Sequence, residues 1–152
     1  MLLWLIETDV FQLPQLHKHF NVVVITGGSS GIGFALAKEF AKQNAYVTII
    51  SRDKNKLLSA QKALAALTNQ VYAVDIIQAD VALQDQIVNA INAVGNKFGK
   101  IDVLINCAGI ATYGRFKDQP FESLENCMQV NYMGSVYASK SAGHFLRKPM
   151  DN

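Results

Sequence analysis

An α/β fold with a doubly wound parallel sheet is predicted by three observations. Short apolar runs alternate with stretches of helical period, and the first of these runs breaks into a glycine-rich turn. Half of the residues are hydrophobic against 17% charged, so the composition is that of a globular domain rather than a disordered chain. At 152 residues the chain is about one domain long and can bury a core of moderate size.

Val22 to Ile25 is a run of four β-rich apolar residues and reads as a buried parallel strand. Thr26 and Gly27 end it, and Phe34, Leu36, Ala37, Phe40 and Ala41 then recur with helical period. Tyr46 to Ile50 is a second strand closed by Ser51, Arg52 and Asp53, and a helix follows from Lys54 to Leu67. Val71 to Ile77 reads as a third strand. Leu83 to Phe98 is an amphipathic helix that Gly99 terminates. Ile101 to Ile105 is a fourth strand that runs into Asn106. After a loop with Gly114 and Pro120, helix signals from Glu122 lead into a long helix around Val130 to Leu146, stopped by Pro149. Parallel strands need right-handed crossovers, which gives the strand order 3-2-1-4 with the fourth strand at an edge.

The glycine turn carries the chemistry. A strand, a glycine turn and a helix N-terminus in that order make an anion site, because free N–H groups and the helix dipole both favour negative charge. Gly27 can make the tight turn, Gly31 can let the backbone approach a pyrophosphate, and Gly33 can let the helix pack close. Ser29, Ser30 and Ile32 complete the turn. The plain alternative is a glycine-rich loop that binds nothing.

Arg52 follows the second strand, where the adenosine ribose of a bound dinucleotide arrives. An acid there would bond both ribose hydroxyls. A guanidinium fork, with Lys56 one helical turn on, can instead hold a 2′-phosphate, which points to NADPH. Asp53 is adjacent and could compete. Taken alone, Arg52 is equally a surface arginine, Asp80 a helix N-cap for a segment starting at Ala82, and Asn131 a polar residue within a helix.

Other classes find little support. A net charge of +2 without a basic run is too small to argue for nucleic acid. Cys107 and Cys127 form no CxxC pair and read as reduced thiols in a reducing compartment, and His17, His19 and His144 are isolated, so no metal site is expected. Met1 to Ile6 is apolar but Glu7 and Asp9 interrupt it, well short of the ~20 residues of a spanning helix. The expected organisation is an apolar, irregular segment over 1–20 and a dinucleotide-binding domain of the Rossmann type over 21–152.

The motif T-G-x-x-x-G-x-G from Thr26 to Gly33 resembles the signature of the short-chain dehydrogenase/reductase family. Three later segments match that family in order. Asp80, with Val81 beside it, matches the family's adenine contact. Asn106-Cys107-Ala108-Gly109 is similar to its N-N-A-G motif with Cys in second place, and Asn131 matches the Asn of its long crossover helix. The resemblance implies that Asn106 braces the central strands, that Ala108 and Gly109 leave room for the cofactor ribose, and that Asn131 bends its helix and anchors a water in the catalytic proton relay.

The resemblance also implies a catalytic Ser and a Tyr-x-x-x-Lys pair several tens of residues beyond Asn131. The chain is therefore expected to be an N-terminal fragment or truncated product, its sheet incomplete after the fourth strand and following helices, and inactive on ketones by itself. Tyr137 and Lys140 are three apart rather than four and fall in the wrong helix, so they are expected to be packing and surface residues. Ser51-Arg52-Asp53 with Lys56, and Gly114-Arg115-Phe116, resemble the branch of the family that reduces sphingoid ketones with NADPH. Two alternatives stand beside it: a reductase for another lipid, steroid or retinoid carbonyl, and a non-catalytic dinucleotide-binding product. That branch implies the cytosolic face of the endoplasmic reticulum membrane, with dimerisation through the helices around Leu124 to Leu146 doubtful in this chain.

Overall fold

The computed structural model describes residues 21–69 and 73–146. The apolar run Met1–Ile6, His17, His19, Val71 and the segment 147–152 lie outside the described residues. Strands β1 (Val22–Thr26), β2 (Tyr46–Ser51), β3 (Val74–Gln78) and β4 (Val103–Asn106) form one parallel sheet in the order β3-β2-β1-β4. The expected order is the observed one. The helices are α1 (Gly31–Lys42), α2 (Lys54–Ala65), α3 (Gln84–Phe98), α4 (Phe121–Met128) and α5 (Gly134–Ala142).

Every residue of β1 is buried, as a central strand covered on both faces requires. The two-residue period of the strands divides the core. Val23, Ile25, Val47 and Ile49 pack with Phe40 of α1 and Leu57 and Leu64 of α2. Val22, Val24 and Ile50 face the other way, against Ile87 and Ile91 of α3 and Ala138 and Ala142 of α5. Helices on both faces and a sheet order that reverses at β1 and β4 make this a Rossmann-type, doubly wound sheet.

The far end of the sheet is stapled by Asp102. Its carboxylate accepts from the backbone N–H of Asn21 at 2.8 Å and of Val22 at 2.9 Å, and pairs with Lys100 Nζ. Burial pushes its pKa up, but the Lys100 ammonium and these two amides outweigh that and hold it below the ordinary aspartate range.

Several boundaries differ from expectation, most by one residue and three elements by more. β4 begins at Val103, because Ile101 turns its N–H away from β1 to the carbonyl of Phe145 and bridges Leu146 in parallel. The long helix is two helices joined by a π-turn, Gln129–Met133, and it ends at Ala142 rather than Leu146. There the chain turns so that the Phe145 ring seats against Gly95 of α3, where a Cβ would collide with it. Finally, α2 stops at Ala65, two residues before the expected Leu67. Leu83 is the N-cap of α3, and Gly99 closes that helix at φ 72°, the left-handed cap that glycine tolerates best.

Candidate functional site

The C-terminal ends of the strands converge on a cavity of about 590 Å³, built around the glycine turn. Gly27 sits at φ 68°, and a Cβ there would come within 2.7 Å of the backbone nitrogen of Ala108, so the turn and the loop after β4 touch backbone to backbone. Its N–H donates to the Ile50 carbonyl at 2.8 Å, which ties the turn to β2. Gly33 is equally constrained, since a Cβ would lie 2.6 Å from the Gly27 carbonyl oxygen. Gly31 differs. It has φ 56° and open space beyond it, so the helix N-terminus faces the cavity with its backbone bare. The Ser30 side chain makes no capping bond, and no acid sits in the first turn of α1. Neither the cap residue nor the first turn of α1 thus supplies a group that neutralises the positive end of this helix.

The wall beside the turn is the end of β2. Ser29 Oγ donates to Ser51 Oγ at 2.9 Å, and the Ala79 N–H donates to the Ser51 carbonyl at 3.1 Å. Arg52 is fixed at its backbone by Gln78 Nε2, which donates to its carbonyl at 3.0 Å, while its side chain is 59% exposed. The guanidinium lies 3.6 Å from Asp80 Oδ2. Such a loose, exposed pair is worth ~0–1 kcal/mol, so it orients Arg52 without holding it. Asp53 does not compete in the way its adjacency suggests. It caps α2 by accepting from the Lys56 N–H at 3.0 Å, and it pairs only distantly, at 3.9 Å, with the Lys56 ammonium.

On the other side, Asp80 Oδ1 accepts from the Ala82 N–H at 2.9 Å. It caps the turn before α3, not the helix itself, whose cap is Leu83. Thr26 Oγ1 accepts from the N–H groups of Cys107 and Ala108 at 3.2 and 3.3 Å, which sets the loop after β4 against the glycine turn. Asn106 pairs with Thr26 through the β1–β4 register, and its side chain reaches α5, donating to Ser139 Oγ at 3.0 Å. Asn131, in the π-turn, grips one residue twice. Its Oδ1 accepts from the Ile110 N–H and its Nδ2 donates to the Ile110 carbonyl, both at 2.8 Å.

The site thus has a bare helix N-terminus, two cations across from it and a groove with glycine at its closest approaches. That set of donors fits a dinucleotide. A match to the family model for short chain dehydrogenases runs from residue 21 to 149. The chain belongs to the short-chain dehydrogenase/reductase family. Among curated members, the 3-ketodihydrosphingosine reductase of Bos taurus is 41% identical over 140 residues, which cover 90% of this chain and 40% of that protein. The 3-dehydrosphinganine reductase of Danio rerio is 39% identical over 143 residues, covering 93% of this chain and 43% of the relative. A solved short-chain dehydrogenase/reductase from Mycobacterium ulcerans superposes with a TM-score of 0.78 at 28% identity, covering 82% of this chain and 46% of the other. The chain therefore spans less than half the length of each.

Of the residues singled out in the sequence, Gly27, Ser29, Ser30, Gly31, Ile32, Gly33, Arg52, Lys56, Val81, Ala108 and Gly109 line the one cavity. Asp80, Asn106 and Asn131 do not line it: Asp80 bonds Ala82, Asn106 bonds Ser139 of α5, and Asn131 bonds Ile110, which is a lining residue. Tyr137 packs against the core beside α3, and Lys140 is exposed. Ser51, Cys107 and Val130 line the cavity without having been singled out for it. Ser51 was open to inference, since the last inward residue of a strand beside a cation belongs to the same wall. Val130 carried no signal, because nothing in its helical pattern separates a core residue from a lining one.

Proposed function

We propose that this chain is the NADPH-binding part of a short-chain reductase whose full-length form reduces 3-ketodihydrosphingosine to dihydrosphingosine. The observation that carries the cofactor reading is Arg52, exposed at the end of β2 with Lys56 one turn on, in the same cavity as the bare N-terminus of α1. The turn's amides from Gly31 onward would receive the pyrophosphate, and Arg52 with Lys56 would hold a 2′-phosphate by charge. Ala108 and Gly109 leave the ribose side uncrowded, and Asn131 keeps their loop in place through Ile110. NADPH, when bound, supplies the hydride; this chain's own residues bind it and orient it.

The substrate reading is supported by the similarity to the 3-ketodihydrosphingosine reductase of Bos taurus and the 3-dehydrosphinganine reductase of Danio rerio, and by Ser51-Arg52-Asp53, Gly114-Arg115-Phe116 and Asn131-Tyr132 in this sequence. An endoplasmic reticulum address belongs to the same proposal. Among the described residues no helix is long and apolar enough to cross a membrane.

The test is Arg52→Asp. NADP(H) affinity should fall roughly tenfold or more, the worth of a charge-assisted contact, while NAD(H) affinity is kept or improves. Equal loss of both would refute the assignment. For the substrate, a chimaera joining residues 21–146 to the remainder of the Bos taurus relative should reduce 3-ketodihydrosphingosine with NADPH. Loss of that reduction with NADPH binding intact would count against the sphingoid reading.

A further inference from the structure

The π-turn places a second polar side chain against the cavity wall, opposite in direction to Asn131. Val130 between them is 4% exposed and lines the cavity. Asn131 reaches the loop after β4. Gln129 reaches the loop after β3, its Nε2 donating to the Ala82 carbonyl at 2.9 Å, with the Tyr137 hydroxyl 3.5 Å away. The peptide units of Ala82 are thereby held on both sides, since its N–H is already given to Asp80 Oδ1. Asp80 is held in turn at its own N–H by Gln86 Oε1 at 2.9 Å, and its other carboxylate oxygen faces Arg52. Contact between helix and loop is close: a Cβ on Gly134 would come within 2.8 Å of Val81 Cγ2. A chain of hydrogen bonds therefore runs from Gln129 through Ala82 to Asp80, and a loose ion pair of 3.6 Å carries it on to the Arg52 guanidinium.

We propose that Gln129 is a positioning residue for the adenosine end of the cavity. It fixes the Ala82 carbonyl, through it the placement of Asp80 and Val81, and through Asp80 the direction in which Arg52 points. The inference rests on the NADP(H) reading for its ligand but not for its mechanical part. A purely structural Gln129 would stabilise the fold and touch both halves of the cofactor site alike. A positioning Gln129 acts on one half.

Gln129→Leu deletes the donor at similar size, and Gln129→Glu replaces it with an acceptor facing the Ala82 carbonyl. Each variant of the 152-residue chain is compared with the parent for binding of adenosine 2′,5′-bisphosphate and of nicotinamide mononucleotide. Amide exchange at Val81–Leu83 is followed in the free protein. The bisphosphate should bind about fivefold more weakly, as expected for one lost hydrogen bond, with the mononucleotide unchanged and exchange at Val81–Leu83 faster. Equal losses for both ligands, or unaltered bisphosphate affinity, would overturn the proposal. If the parent binds neither ligand, the NADP(H) reading fails first, and exchange decides the rest. Faster exchange confined to Val81–Leu83 supports the positioning role, and unchanged exchange sinks it. Failure of both variants to fold would also overturn it, by making Gln129 a determinant of the whole fold.

Discussion

Asp102 and Arg52 show how differently one charged side chain can act at the two ends of the sheet. Only 1% of the Asp102 side chain is exposed, and its carboxylate satisfies two amides and one ammonium, so its charge is committed to structure. Asp102→Asn should lower stability by on the order of 2 kcal/mol at neutral pH, because the amide keeps one oxygen for the two backbone N–H groups but loses the charge and turns an NH₂ donor, in place of an acceptor, toward the Lys100 ammonium. The lowered pKa fixes the sign of the pH effect. A carboxylate depressed in the folded state contributes fully above its unfolded value, and the contribution is lost as pH falls through the folded value. Thermal unfolding should therefore separate the two proteins at pH 7 and converge in strong acid; a constant difference at all pH values would rule this account out. Arg52 was legible in the sequence because it follows a strand at a fixed offset from a glycine turn. Asp102 was not, since an Asp between apolar residues gives no sign of which backbone amides will reach it.

At the scale of elements, the strands and their order could be read from apolar runs and alternation, because burial on both faces demands unbroken hydrophobicity. Where the boundaries moved, a tertiary contact moved them: Phe145 against Gly95, and Ile101 toward Phe145 rather than β1. The π-turn was invisible for the same reason. Gln129 to Met133 continues a helical pattern, and what widens the turn is the grip of Asn131 on Ile110, a contact between residues distant in sequence. Asn131→Leu should lower stability by ~1–2 kcal/mol, with both Ile110 groups left to water, and lower the melting temperature by roughly 2–8 °C for a chain of this size. An unshifted melting temperature would mean that Cys127, whose thiol approaches the Ile110 carbonyl at 4.0 Å, or another neighbour holds that loop instead.

Across the whole molecule, each strand delivers one loop to the same end of the sheet, and the cavity is the space these loops leave. The cradle was legible because glycine spacing and a following cation are local in sequence. The backing was not, because Gln129, Asn131 and Ser139 meet the loops only once α5 has packed against α3. One wall residue has a use of its own. Cys107 is a free, half-buried thiol on the lining, whereas Cys127 is half-buried and not itself a lining residue, its thiol set behind Ile110. Maleimide labelling of Cys107 should slow in proportion to NADPH occupancy while labelling of Cys127 keeps its rate; parallel slowing of both would deny the cavity as the binding place. The chain thus carries its own occupancy gauge, a sulfur that a bound dinucleotide shades and an empty cavity leaves open to reagent.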